Sequence, residues 1–252
     1  MKPQINGDCP PLREQGHQPF DRDIERTGTY QYTDGSLFSA RIANERYTRM
    51  ILAAADFAGR SVVDVGCGDG TYTAELAERS GAASVLGVDL SLKAVERAQE
   101  IYADLSPKVV FACGSSGALI EAKRRFDVAV YRGVIHHVAD PRTEIRCALA
   151  LAKTVIILEP NGLNLLMKIV EKTSPYHRQH HERSFSPHAI GRWVSAGGGH
   201  VRSIRFFGLV PYFCPAAMAR MGRLFEPVVE ALPCVRAICC GQYVVVAVGT
   251  NR

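Results

Sequence analysis

Between residues 61 and 159, short β-branched runs alternate with helical patterns, and no other feature of the chain restricts its fold so tightly. The spacing predicts strands near 61–65, 84–88, 108–113, 126–131 and 154–159, with helices near 71–80, 92–103, 116–123 and 141–152 between them. Such alternation specifies a parallel sheet carrying helices on both faces. Ligands on these sheets bind beyond the carboxyl ends of the strands, where the strand order reverses. The residues that follow each strand are therefore the ones to read for function.

The first such junction is Val62-Val63-Asp64-Val65-Gly66-Cys67-Gly68-Asp69-Gly70-Thr71. Three glycines at alternate positions join a strand to a helix start. Glycine lets the backbone take unusual dihedrals or come close to a ligand, and the new helix offers unpaired N–H groups to that ligand. The dinucleotide fingerprint G-x-G-x-x-G would need a glycine at 71, where this chain has Thr71. That spacing disfavours NAD. Asp89, nineteen residues after Gly70, ends the second strand, where an acid can accept both hydroxyls of a ribose. Asp64 puts a carboxylate beneath the loop, able to meet a cationic group directly or through water.

Together these residues resemble the first two motifs of the class I S-adenosylmethionine-dependent methyltransferases. The resemblance covers residues 60 to 160 well and the remainder in outline. It implies a Rossmann-like α/β three-layer sandwich, with a mostly parallel seven-stranded sheet and an antiparallel last strand. It also implies S-adenosylmethionine as cofactor, held by Asp64, Gly66, Cys67, Gly68, Gly70, Asp89, Leu90, Ser115 and Arg132. Members of the family often carry an acid near the place of Ser115 to receive the adenine amino group. Here a serine hydroxyl or a main-chain carbonyl has to substitute. The fourth strand, Phe126 to Tyr131, runs into Arg132-Gly133-Val134-Ile135-His136-His137-Val138, close to the family's fourth motif. Asp140 and Pro141 suit the cap and first position of the next helix.

The fifth strand ends in Glu159-Pro160-Asn161-Gly162, after which the alternation breaks. A helical pattern over Asn164 to Lys172 leads into a polar, histidine-rich stretch containing His177, His180 and His181. Ser186-Pro187 then opens another helix. The family places substrate-recognition elements here, so a cap is expected over 160–200. A second cover is expected from a lid over 26–56, with residues 1–25 a flexible lead and 26–252 one domain. Within the lid, Tyr30, Tyr32 and Arg41 either wall the substrate pocket or pack its helix onto the sheet. The last third reads as a strand over Val201–Leu209, a helix over Ala216–Ala231 and a buried strand over Gln242–Val248. That helix either packs on the cap or makes a dimer contact.

A sulfonium already activates its methyl group, so a base is needed only where the nucleophile carries a proton. His136 and His137 are the candidates for that base, or else hydrogen-bond the backbone. Glu159, His177 and His181 are candidate substrate contacts, with Glu159 alternatively capping its loop. No resident metal is expected. The net charge of +5 is mild and forms no long basic block, so no nucleic-acid partner is expected. The eight cysteines show no zinc spacing, and reduced thiols in a cytoplasmic protein account for them. No apolar run approaches the roughly 18 residues of a membrane span, and no membrane partner is expected. The reading is transfer to an oxygen or nitrogen of a small-molecule acceptor, by a monomer or homodimer. The alternatives are an NAD(P)-dependent oxidoreductase and a cofactor-binding protein without transfer activity.

Overall fold

A computed structural model of the chain describes residues 33, 36–105, 108–173 and 183–249, with the side chains of 170–173 excepted. The expected flexible lead 1–25, together with Tyr30, Tyr32, His177, His180 and His181, lies outside these residues. Helix α1 (Phe38–Leu52) precedes the alternating part. That part comprises β1 (Ser61–Val65), α2 (Thr71–Ser80), β2 (Ser84–Asp89), α3 (Leu92–Ile101) and β3 (Val109–Cys113). It continues through α4 (Ser116–Glu121), β4 (Phe126–Arg132), α5 (Pro141–Leu151) and β5 (Ala152–Pro160). Then come α6 (Leu165–Thr173), α7 (Pro187–Ala196), β6 (Gly199–Phe207), α8 (Ala216–Ala231), α9 (Pro233–Cys239) and β7 (Gln242–Gly249).

The seven strands form one sheet in the order β3-β2-β1-β4-β5-β7-β6. Strands β1 to β5 pair in parallel, and β7 inserts antiparallel between β5 and β6. This is the Rossmann-like architecture the resemblance implies. The order reverses between β1 and β4, which places the crevice over their carboxyl ends. Because β7 is antiparallel to both neighbours, β6 runs the same way as β5. Pro160 and Phe207 both pair with Gln242, so the ends of β5 and β6 lie on one edge. The whole segment 208–241 leaves from and returns to that edge.

Strand alternation sends neighbouring residues to opposite faces and so builds two core layers. Val63, Val65, Ala129 and Ile157 pack with α5 and α7 through Ile145, Leu149, Ile190 and Val194. Val62, Val128, Val130 and Ile156 pack on the other face against Tyr47 and Ile51 of α1 and Leu76 of α2. Asp64 shares a face with Val62 and is therefore a carboxylate set into an apolar layer.

The expected caps form. Asp140 accepts from the Arg142 and Thr143 N–H groups at the start of α5, and Ser186 accepts from Ala189 N ahead of α7. No disulfide joins the described cysteines. The structure adds α9, over residues to which the sequence reading assigned no element. Its signal was Pro233 at the first helical position, too weak over seven residues to stand out.

Candidate active site at the carboxyl edge of the sheet

The β1–α2 turn is held from behind by β2. Gly66 N and Cys67 N both donate to Val88 O, at 2.8 and 3.1 Å, and Gly70 N donates to Cys67 O at 3.0 Å. Gly66, Gly68 and Gly70 all take positive φ, at 75°, 56° and 80°. Two of the glycines serve different ends. A Cβ on Gly70 would stand 2.8 Å from both Ala98 Cβ and Phe111 Cε1, so that glycine lets the turn sink onto α3 and β3. Gly66 instead is exposed, beside Val134 of the β4–α5 loop, 2.5 Å from where its Cβ would be. Backbone is thus offered to the crevice at Gly66.

Asp89, at the end of β2, is fixed by two main-chain donors. Gly68 N reaches its Oδ2 at 2.9 Å and Ser91 N its Oδ1 at 2.8 Å. Each carboxylate oxygen has further lone-pair capacity, and the residue is half-buried. Asp69 was missed by the sequence reading. It is 1% exposed, and it accepts from Thr71 N at 3.1 Å and from the Thr33 hydroxyl at 2.6 Å. An acid two residues before a helix start is an Asx-type cap, and the Asp-Gly-Thr order was the available signal.

Beneath the turn, the Asp64 carboxylate accepts from the Thr73 hydroxyl at 2.6 Å. Burial pushes its pKa up to about 6, with the Thr73 hydrogen bond and the Arg132 charge opposing and the Asp89 charge adding to the rise. The Arg132 guanidinium lines the same cleft. Arg132, from the end of β4, lies over the Tyr72 ring at 3.5 Å and 5.5 Å from that of Tyr47. It donates to Thr48 Oγ1 at 2.8 Å and to Asn44 Oδ1 at 3.0 Å. Asp64 and Arg132 thus line one small cleft with Thr48, Ile51, Tyr72, Leu76 and Val130. They knit α1, α2 and β4 together under the glycine turn. Inward-facing Asn44 and Thr48 link α1 to the site, while Arg41 on the same helix is exposed.

The second constellation lies across β4. Gly133 N donates to Leu158 O at 2.8 Å, which brings the loop after β4 over the end of β5. There Glu159, fully buried, accepts from Val134 N at 3.0 Å and Ile135 N at 2.8 Å through one oxygen. Its other oxygen lies 2.7 Å from His136 Nδ1. The His137 ring lies against that of His136, with centroids 3.9 Å apart, and is the more exposed of the two. Glu159 therefore takes the loop-capping place and, in addition, grips an imidazole.

Residues 62–162, from β1 to just past β5, match a family model described as a methyltransferase domain. A ubiquinone biosynthesis O-methyltransferase from Methylococcus capsulatus is 28% identical over 209 residues, covering 75% of this chain and 85% of that enzyme. These likenesses support a class I S-adenosylmethionine-dependent methyltransferase. An enzyme of the same name from Nitrosospira multiformis is 38% identical over 100 residues, but these span only 41% of that relative. Among solved structures, magnesium protoporphyrin IX methyltransferase from Synechocystis PCC 6803, with bound SAH, superposes with a TM-score of 0.61. It covers 93% of this chain and 96% of its own at 18% identity, a likeness of fold.

The residues present in this methyltransferase fit the family's cofactor. An open backbone at Gly66, an oriented carboxylate at Asp89 and the start of α2 face the crevice together. Leu90 is half-buried beside Asp89, and Cys67 is buried under the turn against Val95, Ala98 and Phe111. Ser115 accepts from Ala118 N at 3.1 Å as the cap of α4. One of its lone pairs is thereby used, while its O–H stays available as a donor. The nicotinamide alternative loses its footing here, because the family match takes in the turn whose glycine spacing disfavoured it.

Proposed function

We propose that this methyltransferase transfers a methyl group to an oxygen atom of a small-molecule acceptor, with the His136–Glu159 pair receiving the hydroxyl proton. The observation that carries the reading is the 2.7 Å contact between His136 Nδ1 and a carboxylate with no exposed surface. A hydroxyl must lose its proton as it attacks, whereas a neutral amine attacks with its lone pair and sheds a proton afterwards. A carboxylate at Nδ1 fixes the tautomer and stabilises the imidazolium that results from proton uptake. The names of the relatives, O-methyltransferases, support oxygen as the target.

When bound, S-adenosylmethionine supplies a methyl group made electrophilic by its sulfonium. Gly66, Cys67, Gly68 and Gly70 would hold it through the backbone, and Asp89 with Leu90 through the ribose side. Ser115 stands at the start of α4, and Asp64 and Arg132 keep the turn in register from below. Val134 against Gly66 sets the histidine loop beside that turn. The His137 ring, tilted at 45° against that of His136, covers one side of the pair.

The test is mass spectrometry of hydroxylated and amine-bearing candidate acceptors incubated with the purified chain and isotopically labelled cofactor. Label is expected on hydroxyl oxygens. His136→Gln is expected to lower kcat about 100-fold or more, with cofactor affinity by calorimetry unchanged. Glu159→Gln should lower kcat less and move the acid limb of the pH profile. Full activity in His136→Gln would remove the base role, and labelled amines without labelled hydroxyls would remove the oxygen assignment.

A further inference from the structure

The amino edge of the sheet, opposite the crevice, holds a second cleft of about 580 Å³. Phe126 pairs with Ala152 and Gly199 with Gly249, so the starts of β4, β5 and β6 and the end of β7 meet at this edge. Leu149, Ala150 and Val248 give the cleft an apolar floor. Gly197, where α7 ends, lies close beside it. A Cβ there would stand 2.9 Å from Leu149 Cδ1 and 3.2 Å from Arg146 Cγ, so the stem of Arg146 rests on glycine backbone.

Three cations line the walls, Arg125 before β4, Arg146 on α5 and Lys153 in β5. All three are exposed. Arg125 Nη1 donates to Arg124 O at 2.8 Å and Arg146 Nη2 to Thr143 Oγ1 at 3.1 Å, while Lys153 Nζ lies 3.3 Å from Asp127 Oδ1. A guanidinium carries five N–H donors and an ammonium three, so each keeps donors for a ligand. Among the described residues no acid lines the cleft. The nearby negative charge is Asp127, which also accepts from Ser61 N and Oγ, and the carbonyl ends of α5 and α7, at about half a charge each. Glu144 is taken by the Tyr131 hydroxyl and Asp140 caps the far end of α5. Glu121 on α4 is followed by exposed Lys123 and Arg124. The balance at the cleft stays positive.

We propose that this cleft binds a small organic diphosphate, a nucleoside diphosphate being representative. A cleft walled by charges of one sign concentrates counter-ions, and guanidinium forks match phosphate oxygens in pairs. Cations on three separate elements suit the several charges of a diphosphate better than the single charge of a carboxylate. The apolar floor suits an organic body, and the volume falls within the roughly 300–1,000 Å³ of small-molecule sites. The site is separate from the crevice, because β5 rises roughly 23 Å from Ala152 to Glu159 at about 3.3 Å per residue.

The experiment is isothermal calorimetry of the full chain with inorganic pyrophosphate and with adenosine diphosphate, each with and without saturating S-adenosylhomocysteine. Both probes are expected to bind, adenosine diphosphate at least about tenfold more tightly because its organic body covers the apolar floor. Neither affinity should move with S-adenosylhomocysteine. Arg125→Gln/Arg146→Gln is expected to weaken both probes at least about tenfold with circular dichroism unchanged, since both side chains are exposed. Lys153→Gln alone should weaken them about threefold or more, which keeps the test open where the double variant fails to fold. Arg124→Gln, outside the lining, should stay within about twofold of the parent. No binding, equal affinities for the two probes, displacement of adenosine diphosphate by S-adenosylhomocysteine, or an equal loss in Arg124→Gln overturns the proposal. A single-stranded oligonucleotide that binds more tightly than adenosine diphosphate, and is lost in the same variants, overturns it in favour of a nucleic-acid surface. The heat of S-adenosylhomocysteine binding is read on its own, so failure here leaves the methyl-transfer reading standing.

Discussion

The β1–α2 turn and the segment after β6 share one edge of the sheet and treat their side chains in opposite ways. At the turn, Cys67 is buried against Val95, Ala98 and Phe111, and what reaches the crevice is backbone and the Asp89 carboxylate. In α8 the carboxylates go inward and Leu224 and Phe225 go outward. The difference lies in what the neighbouring backbone lacks. The N–H groups of the turn are satisfied by Val88 O and Asp89, so its apolar residues are free to fill the gap over β2 and β3. Gly208 N and Leu209 N have only Glu230 and Glu226 to meet them, and a buried unpaired N–H costs more than an exposed leucine.

The contrast is open to attack by substitution. Gly70→Ala puts a Cβ 2.8 Å from Ala98 and Phe111 at a φ of 80°, and should lower stability by about 3 kcal/mol or more in denaturant unfolding. A cost below about 1 kcal/mol would mean the turn is no tighter than the rim.

The next effect is pH-dependent and belongs to Asp64. Its folded pKa of about 6 lies above the ordinary value of 3.8, so its contribution is complete below pH 4 and is lost as pH rises through 6. Asp64→Asn removes that slope. The stability of the variant relative to the parent should rise by about 2 to 3 kcal/mol between pH 4 and 6.5, read from unfolding curves at each pH. Parallel pH profiles would mean that Arg132 fully offsets the burial.

On the rim the changes are smaller. Glu226→Ala leaves Leu209 N–H without its acceptor and should cost about 1 to 2 kcal/mol. Leu224→Glu, at a side chain 74% exposed, should stay within about 0.5 kcal/mol of the parent. A large loss from Leu224→Glu would show that the outer face of α8 is packed in solution.

Element positions were legible from local patterns. Asp140-Pro141 and Ser186-Pro187 announce their helices because a cap needs only its own backbone. The helix over Ala216–Ala231 was equally plain, yet which of its faces turns inward was not, since periodicity finds two faces and does not rank them. The Glu159–His136 pair escaped for a related reason. These residues are 23 apart in sequence and meet because β4 and β5 are adjacent with Arg132 opposite Leu158. That Asp64 and Arg132 line one cleft was equally out of reach of the sequence, because strand alternation puts Asp64 on the side covered by α1 and α2.

By itself the sequence determined the order of strands and helices, the glycine turn, the acid after β2 and hence the cofactor family, because each depends on residues within a turn or two of one another. Only the tertiary structure decided which carboxylate grips a histidine, which arginine is caged beneath the turn and which face of α8 meets solvent. Those outcomes depend on which buried donors remain to be satisfied once the sheet is assembled, and that inventory does not exist until distant strands are side by side.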